Sequence, residues 1–166
     1  NRYMKIKISE GKRHIIFLNN QSIYKSKNNL NKAIFFDRDG VLIKDMNYIK
    51  DPKYVSLMKG VKEILNYTDN LGYLNIVITN QSGIARNFFT WEDYESVTNR
   101  MLEMIRVPEI ISATYANGEG PNELKSDKSW RKPNPNMIIK ASQDFNIDLS
   151  KSFLIGDRLS DIQAGY

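Results

Sequence analysis

Two aspartates follow a short apolar run and stand two positions apart. The run is Ala33–Phe36, and Asp37 and Asp39 come directly after it, with Gly40 behind them. Four apolar residues of this kind predict a strand buried on both faces, and because an unpaired buried carboxylate is costly, the strand should end where the acids begin. Ligands bind at this carboxyl edge in open α/β sheets. The pair therefore predicts a site for a hard cation such as Mg²⁺, with a turn that holds two solvated acids as the alternative.

Polar residues also close two other predicted strands. Tyr73–Thr79 runs into Asn80, and Ser152–Ile155 runs into a glycine and Asp157, with Asp161 four positions later. Helical patterns separate the strands, which is typical of a parallel sheet with right-handed crossovers. Because the carboxyl ends of parallel strands lie at one edge, we expect these polar residues and the first acid pair to converge there.

Three amphipathic segments are predicted to be the helices that flank this sheet. The first begins at Gly60, the second at a Thr90 cap and the third at an Asn134 cap. The positions expected to face the sheet are Val61, Ile64, Leu65 and Leu71 in the first helix, Tyr94, Val97, Met101, Leu102 and Ile105 in the second, and Met137, Ala141 and Phe145 in the third. A further strand is predicted over residues 109–115. A long loop follows it and is closed by Lys132, which can therefore reach the same edge.

This combination of residues fits phosphoryl transfer. The Asp37 carboxylate can attack phosphorus and form an aspartyl-phosphate, and Asp39 can protonate the leaving alkoxide and later deprotonate a water. Attack on a phosphomonoester dianion needs positive charge nearby. Mg²⁺ held by Asp37 and Asp157 would supply it, together with the ammonium group of Lys132. Thr79 offers a hydroxyl and a backbone N–H for a phosphate oxygen.

Composition excludes several other kinds of protein. The chain of 166 residues is long enough for one domain with a proper core. It holds no cysteine, so a disulfide framework or a cysteine-ligated metal is impossible. Its only histidine, His14, lies in a polar segment that looks unpromising for catalysis. The net charge of +5 comes from lysines scattered among asparagines, which favours a solvated surface and phosphorylated ligands over nucleic acid. No apolar run reaches the length of a membrane span.

Residues 1–32 are predicted to be an appendage or linker of unknown role, placed before a catalytic domain over residues 33–166. Alternation from Tyr3 to Ile8 and the apolar run from His14 to Leu18 are typical of a β-hairpin. The polar stretch from Lys25 to Lys32 is typical of a linker. A trimmed upstream domain and a small added ribbon both agree with this pattern.

The four motifs together resemble those of the haloacid dehalogenase superfamily. They are Asp37–Gly40, Thr79, Lys132 and Gly156–Asp161, and the resemblance covers residues 33–166. It implies an α/β fold with a Rossmann-like parallel sheet flanked by helices and without a cap domain.

The resemblance also implies a role for each motif residue. Asp37 would be the nucleophile and Asp39 the general acid and base. Mg²⁺ would be held by Asp37, the backbone carbonyl of Asp39 and Asp157, while Asp161 would orient the motif lysine or a water beside the metal. The implied phosphate binders are Thr79 and Lys132. We expect a cytoplasmic, monomeric phosphatase that acts on a small phosphorylated metabolite rather than a protein of membranes or nucleic acids.

Within the superfamily the chain is most similar to the D-glycero-D-manno-heptose 1,7-bisphosphate 7-phosphatases of lipopolysaccharide biosynthesis and the related histidinol-phosphate phosphatases. The stretches that carry this resemblance are Phe36–Val41, Asp45–Ile49, Thr79–Arg86 and Arg131–Pro135. The implied ligands of the sugar or of a second phosphate are Asn80, Gln81, Arg86 and Arg131. Alternatively, the two amides only tie loop backbone together and the two arginines are solvated charges. The heptose bisphosphate is the expected substrate. Histidinol phosphate, a nucleic-acid 3′-phosphate and a non-catalytic phosphosugar-binding role are the alternatives.

Two features depart from these relatives. Many of them hold zinc with cysteines in the loop before the Arg-Lys-Pro motif, whereas residues 116–130 offer only carboxylates, which hold zinc poorly. We therefore expect no zinc, and we expect Trp130 to anchor the loop as a buried aromatic. The relatives also continue into another strand where this sequence stops at Tyr166, so we expect the catalytic domain to continue beyond it.

Overall fold

Four parallel strands form the centre of the sheet in the computed structural model, which describes residues 5–8, 13–18 and 30–156. They are β3 (Ala33–Phe36), β4 (Leu74–Asn80), β5 (Ile111–Asn117) and β6 (Phe153–Ile155), in the spatial order β5-β4-β3-β6. Phe36 lies opposite Val77 of β4 on one side and Ile155 of β6 on the other. The strands predicted from apolar runs are therefore confirmed. β5 begins two residues later than expected, because Pro108–Ile110 form a short 3₁₀ turn before it.

An antiparallel hairpin extends the sheet beyond β5. It consists of β1 (Lys5–Ile8) and β2 (His14–Leu18), and β2 pairs antiparallel with β5 so that His14 lies opposite Asn117. The complete order is β1-β2-β5-β4-β3-β6. The predicted hairpin is confirmed, and the described part of the N-terminal segment belongs to the same sheet as the motifs. The predicted linker falls largely on residues outside the described ranges.

Three helices pack on the two faces of the sheet. Alternate strand residues point to opposite faces, and the two main apolar clusters divide along that alternation. α1 (Val61–Asn70) and α2 (Trp91–Ile105) bury their apolar faces against Ile34, Phe36 and Val77. α3 (Asn136–Phe145) packs on the other face. The five positions predicted for α2 and the three for α3 are buried, as expected.

The buried face of α1 differs from the predicted one. Val61 and Leu65 are buried, whereas Ile64 is 41% exposed and Leu71 is 48% exposed. The third buried position is Thr68, whose hydroxyl lies within hydrogen-bond distance of the Ile64 carbonyl in its own helix and of Oδ1 of the buried Asn75. The apolar pattern misses this face because its last position is polar and hydrogen-bonded.

The helix starts agree with the caps predicted for them, with one shift. Thr90 and Asp93 form a capping box at the start of α2, and Gly60 precedes α1 with a φ of 83°, a conformation that glycine adopts without strain. Pro135, rather than Asn134, occupies the position before α3.

Residues 37–73, all described, contain a loop and α1 and no added domain. Among the described residues no helix is long and apolar enough to cross a bilayer.

Candidate active site

The end of β3 places Asp37 at the centre of the site. Its backbone N–H donates to the carbonyl of Ile155 over 3.1 Å, which ties the end of β3 to the end of β6. The side chain is buried, and its Oδ1 accepts a hydrogen bond of 2.8 Å from the backbone N–H of Arg38. The same oxygen lies 3.5 Å from Nζ of Lys132. A carboxylate at a strand end is thus held directly opposite a cation.

Arg38 is the largest fully buried side chain of the site, although no local pattern in the sequence indicates a role for it. Its guanidinium donates to both carboxylate oxygens of Asp39 over 3.2 Å each, to Oγ1 of Thr98 over 3.1 Å and to Oε1 of Gln81 over 3.3 Å. It also lies 4.9 Å from the centre of the Tyr94 ring. Burial raises the pKa of Tyr94 to about 12, so the ring stays neutral beneath the guanidinium. Arg38 is thus held by two residues of helix α2, and it in turn fixes the orientation of the Asp39 carboxylate.

Gln81 joins the second aspartate to the threonine that ends β4. Its side-chain NH₂ donates to Oδ2 of Asp39 over 2.9 Å and to Oγ1 of Thr79 over 2.8 Å. Gln81 and Thr79 are both buried. The contact brings Asp39 and Thr79 together, as their positions at two strand ends predicted.

Lys132 reaches the same edge from the long loop after β5. Its side chain is buried, and Nζ donates to the carbonyl of Ile78 over 3.2 Å besides facing Asp37. Asn80 clamps the backbone of Lys132, since its Oδ1 accepts from the Lys132 N–H over 3.0 Å and its Nδ2 donates to the Lys132 carbonyl over 3.2 Å. Asn117, at the end of β5, donates to the same oxygen of Asn80. The structure thus brings Lys132 to Asp37 at this edge of the sheet, as its place at the end of the loop predicted.

A pocket opens above these residues. Of the residues described above, Asp37, Arg38, Asp39 and Lys132 line it, whereas the buried Thr79 does not. The loop after β3, the end of β4 and the loop that follows β4 complete the walls, with Asp45, Asn47, Tyr48, Ile49, Asn80, Gln81, Ser82, Gly83 and Phe89. Tyr48 packs edge-on against Phe88 with 4.8 Å between ring centres. The stretch that resembled the heptose branch after the first motif therefore forms one wall of the pocket.

The four residues expected to bind the sugar take up different positions. Asn80 and Gln81 line the pocket, and both amides also tie loop and strand ends together, which was the alternative interpretation. The Arg86 guanidinium lies 5.9 Å from the centre of the Tyr48 ring and does not line the pocket. The Arg131 guanidinium donates to the carbonyl of Glu119 over 3.1 Å. Their contact with substrate stays a prediction.

The fourth motif lies at the limit of the described residues. β6 ends at Ile155, beside Asp37, and Gly156 is the last described residue. Asp157 and Asp161 fall outside the described ranges. Their assigned roles as a metal ligand and a supporting residue therefore stay predictions.

His14 is buried, although the segment around it looked unpromising. Its Nε2 lies 2.7 Å from Oε1 of Glu119, which is also buried. Its ring stacks on the half-buried Trp130, with 4.1 Å between ring centres and an angle of 8° between planes. Burial lowers the pKa of His14 below its usual 6.5, and the hydrogen bond to the Glu119 carboxylate only partly offsets that effect. No local signal in the sequence joins residues this far apart.

Comparison with known proteins identifies relatives of this site. A model of the family described as polynucleotide kinase 3 phosphatase matches residues 32–162. The chain is 36% identical over 140 residues to a D-glycero-alpha-D-manno-heptose-1,7-bisphosphate 7-phosphatase of Burkholderia mallei, covering 81% of this chain and 74% of the relative. It is 38% identical over 138 residues to a D-glycero-beta-D-manno-heptose-1,7-bisphosphate 7-phosphatase of Helicobacter pylori, covering 81% and 77%.

Two solved structures are similar over most of this fold. A HAD-like phosphatase from Mesorhizobium loti superimposes with a TM-score of 0.77 and 30% identity, covering 99% of this chain and 75% of its own. A D,D-heptose 1,7-bisphosphate phosphatase from B. bronchiseptica, complexed with magnesium and phosphate, superimposes with a TM-score of 0.72 and 27% identity, covering 80% and 74%.

Proposed function

Because this chain belongs to the polynucleotide kinase 3 phosphatase family, within the haloacid dehalogenase superfamily of phosphatases, we propose that it removes the 7-phosphate of D-glycero-D-manno-heptose 1,7-bisphosphate. The chain is a phosphatase by that membership, and the two curated relatives compared above act on this sugar bisphosphate. The observation that carries the proposal is the buried pair of Asp37 and Lys132, which lie 3.5 Å apart and line a polar pocket.

In this mechanism Asp37 is the nucleophile. One of its carboxylate oxygens attacks phosphorus and forms a new P–O bond. The bond between phosphorus and the oxygen on C7 of the sugar breaks, and that oxygen leaves with the sugar. The ammonium group of Lys132 binds a phosphate oxygen and offsets negative charge that would otherwise oppose the attack. Thr79 holds another phosphate oxygen through its hydroxyl or backbone N–H.

Asp39 handles the protons of both steps. It protonates the leaving sugar oxygen, and it then removes a proton from the water that hydrolyses the aspartyl-phosphate. Arg38 and Gln81 fix its carboxylate from two sides, which supports a directed proton transfer because a catalytic group must be held in a defined geometry.

The oxygens at the end of β3 fit a magnesium ion. The donors are hard carboxylate and carbonyl oxygens, which Mg²⁺ prefers, and a related phosphatase has been crystallised with magnesium and phosphate. In this proposal Asp37, the backbone carbonyl of Asp39 and Asp157 would hold the ion. When bound, it neutralises charge on the phosphoryl group.

The pocket walls are proposed to select the sugar. Asp45, Asn47 and Ser82 supply polar groups suited to hydroxyls, and Tyr48 supplies an aromatic surface. Arg86, whose guanidinium lies 5.9 Å from the centre of the Tyr48 ring, is proposed to bind the second phosphate. The expected cytoplasmic location and monomeric state stay predictions from the resemblance.

A substrate panel tests this proposal. Phosphate release is measured on the heptose 1,7-bisphosphate, on histidinol phosphate and on an oligonucleotide with a 3′-phosphate, the last because of the family model that matches the chain. We expect the highest kcat/KM on the heptose bisphosphate. A preference for either other compound would overturn the assigned substrate while leaving the phosphatase chemistry intact.

The nucleophile is tested by Asp37→Asn, which keeps the shape of the side chain and removes its nucleophilic oxygen pair. We expect turnover to fall by about 10⁴-fold or more. Glu63→Gln, a matched loss of charge at an exposed position of α1, should leave turnover unchanged. Near-normal turnover of a pure Asp37→Asn preparation would refute the mechanism and would favour a different nucleophile.

A further inference from the structure

The long loop after β5 is held to the sheet through one buried carboxylate. Glu119 is 2% exposed. Its Oε2 accepts hydrogen bonds from the Ser129 hydroxyl, from the Trp130 backbone N–H over 3.0 Å and from the Arg131 backbone N–H over 3.2 Å. Three donors on one oxygen fix three consecutive residues, and the residue that follows them is Lys132.

Glu119 is itself fixed from several elements. Its backbone N–H donates to Oδ1 of Asn117 at the end of β5 over 3.1 Å, and its carbonyl accepts from the Arg131 guanidinium. Its second carboxylate oxygen contacts the His14 ring of the N-terminal hairpin, and that ring covers Trp130. The carboxylate therefore has little freedom to turn away from the loop.

These contacts lead to the ammonium group at the active site. The backbone of Lys132 is held by Asn80 on one side and by the segment bound to Glu119 on the other. Its Nζ has to stay near Asp37, and a misplacement of about 1 Å in an active site can cost on the order of 10²-fold in rate. Loss of the acceptor at Glu119 would take this acceptor from the buried Ser129 hydroxyl and from the Trp130 N–H, and the Arg131 N–H would keep only the Ser129 hydroxyl. The segment would then have to move to restore these hydrogen bonds.

We propose that Glu119 is a positioning residue that holds Lys132 against Asp37, and that His14 orients Glu119 for this task. The inference rests on the phosphate-binding role given to Lys132 in the proposed function. It gives the N-terminal hairpin a part in the active site, because β2 carries His14 to the loop. In this view the hairpin contributes to phosphate affinity without touching the substrate.

A double-mutant cycle separates positioning from general stability. Glu119→Ala, Lys132→Met and the double variant are compared for kcat/KM on a phosphomonoester and for the inhibition constant of inorganic phosphate. We expect Glu119→Ala alone to lose on the order of 10²-fold in kcat/KM and to bind phosphate more weakly. In the Lys132→Met background the same change should cost little, because the group through which it acts is already gone.

Controls distinguish the possible failures. Glu123→Gln removes a carboxylate of the same loop that pairs with Arg13 at the surface, and it should behave like wild type. If Lys132→Met has no effect, both the role of Lys132 and this inference fall. If Lys132→Met is damaging but Glu119→Ala costs the same in both backgrounds, only the inference falls and the proposed function stands.

If Glu119→Ala does not fold, two milder variants test the positioning roles of Glu119 and His14. Glu119→Gln keeps one oxygen for the loop donors and turns an NH₂ toward His14, whose Nε2 can accept in its other tautomer, so phosphate affinity should stay close to that of wild type. His14→Phe keeps a ring on Trp130 and removes the contact with Glu119, so phosphate affinity should fall. Unchanged phosphate affinity in His14→Phe would overturn the part assigned to the hairpin.

Discussion

Gly83 stands where a side chain would collide with a wall of the pocket. A Cβ on Gly83 would lie 2.7 Å from Cδ1 and 2.9 Å from Cζ of Phe89, and closer still to Cε1. Non-bonded carbons attract best at about 3.5–4.0 Å, so the ring would have to retreat by roughly 1 Å. Phe89 is buried and packs in a cluster with Ile15, Phe17 and Tyr94. We therefore predict that Gly83→Ala destabilises the protein.

The expected size follows from two opposing effects. Overpacking a buried cluster costs about 1–3 kcal/mol. Replacing glycine by alanine reduces the conformational freedom of the unfolded chain, which stabilises the protein by about 0.4–1 kcal/mol where the backbone can accept alanine. The backbone at Gly83 can accept it, because its φ lies outside the left-handed region. The net loss is about 1–2 kcal/mol, which lowers the Tm by about 2–8 °C for a chain of this length.

Thermal unfolding followed by circular dichroism measures the effect, with Gly120→Ala as the matched control. A Cβ on Gly120 would lie 3.6 Å from that of Ala85, an ordinary contact, and its φ is −84°, so this variant should be as stable as wild type or more so. Phe89→Leu combined with Gly83→Ala should cost less than the sum of the two single changes. Equal Tm values for Gly83→Ala and Gly120→Ala would show that the packing argument is wrong.

The proton chemistry and the buried histidine give two more predictions. Asp39→Asn should slow hydrolysis of alkyl phosphates far more than that of nitrophenyl phosphate, whose leaving group needs little protonation; equal losses on both would remove Asp39 from the role of general acid. Because the pKa of His14 is lower in the folded protein than its usual 6.5, the unfolded chain takes up the proton first, and the stability that His14 contributes is lost as the pH falls below that value. As the pH falls from about 7 to about 5, His14→Phe should therefore gain stability relative to wild type. Urea unfolding at both pH values measures this, and the same difference in free energy of unfolding at each pH would contradict it.

The strand ends of the site could be predicted because burial and charge conflict there. An apolar run such as Ala33–Phe36 cannot continue through Asp37, so the position of the acid fixes the end of the strand. The same reasoning placed Thr79 at the edge of the sheet, and the parallel topology then brought Lys132 to the acids. These predictions rest on local patterns and one rule of sheet geometry.

The supports of the site could not be predicted, because each joins residues far apart in the chain. An arginine between two acids is typical of a protein surface. Arg38 is nevertheless buried, because it contacts Thr98 and Tyr94 of α2. Glu119 is one of the carboxylates in the loop after β5, and its partner His14 is 105 positions away. Local patterns along the chain carry no signal for such pairs.

The two charged halves of the site are held by different elements of the fold. Helix α2 fixes Asp39 through Arg38, which contacts Thr98 and Tyr94. The N-terminal hairpin and the end of β5 fix the loop that carries Lys132. In the proposed mechanism these halves do different work, since Asp39 moves protons and Lys132 binds phosphate. Changes on the α2 side should therefore alter the dependence on leaving group, whereas changes on the hairpin side should alter phosphate affinity.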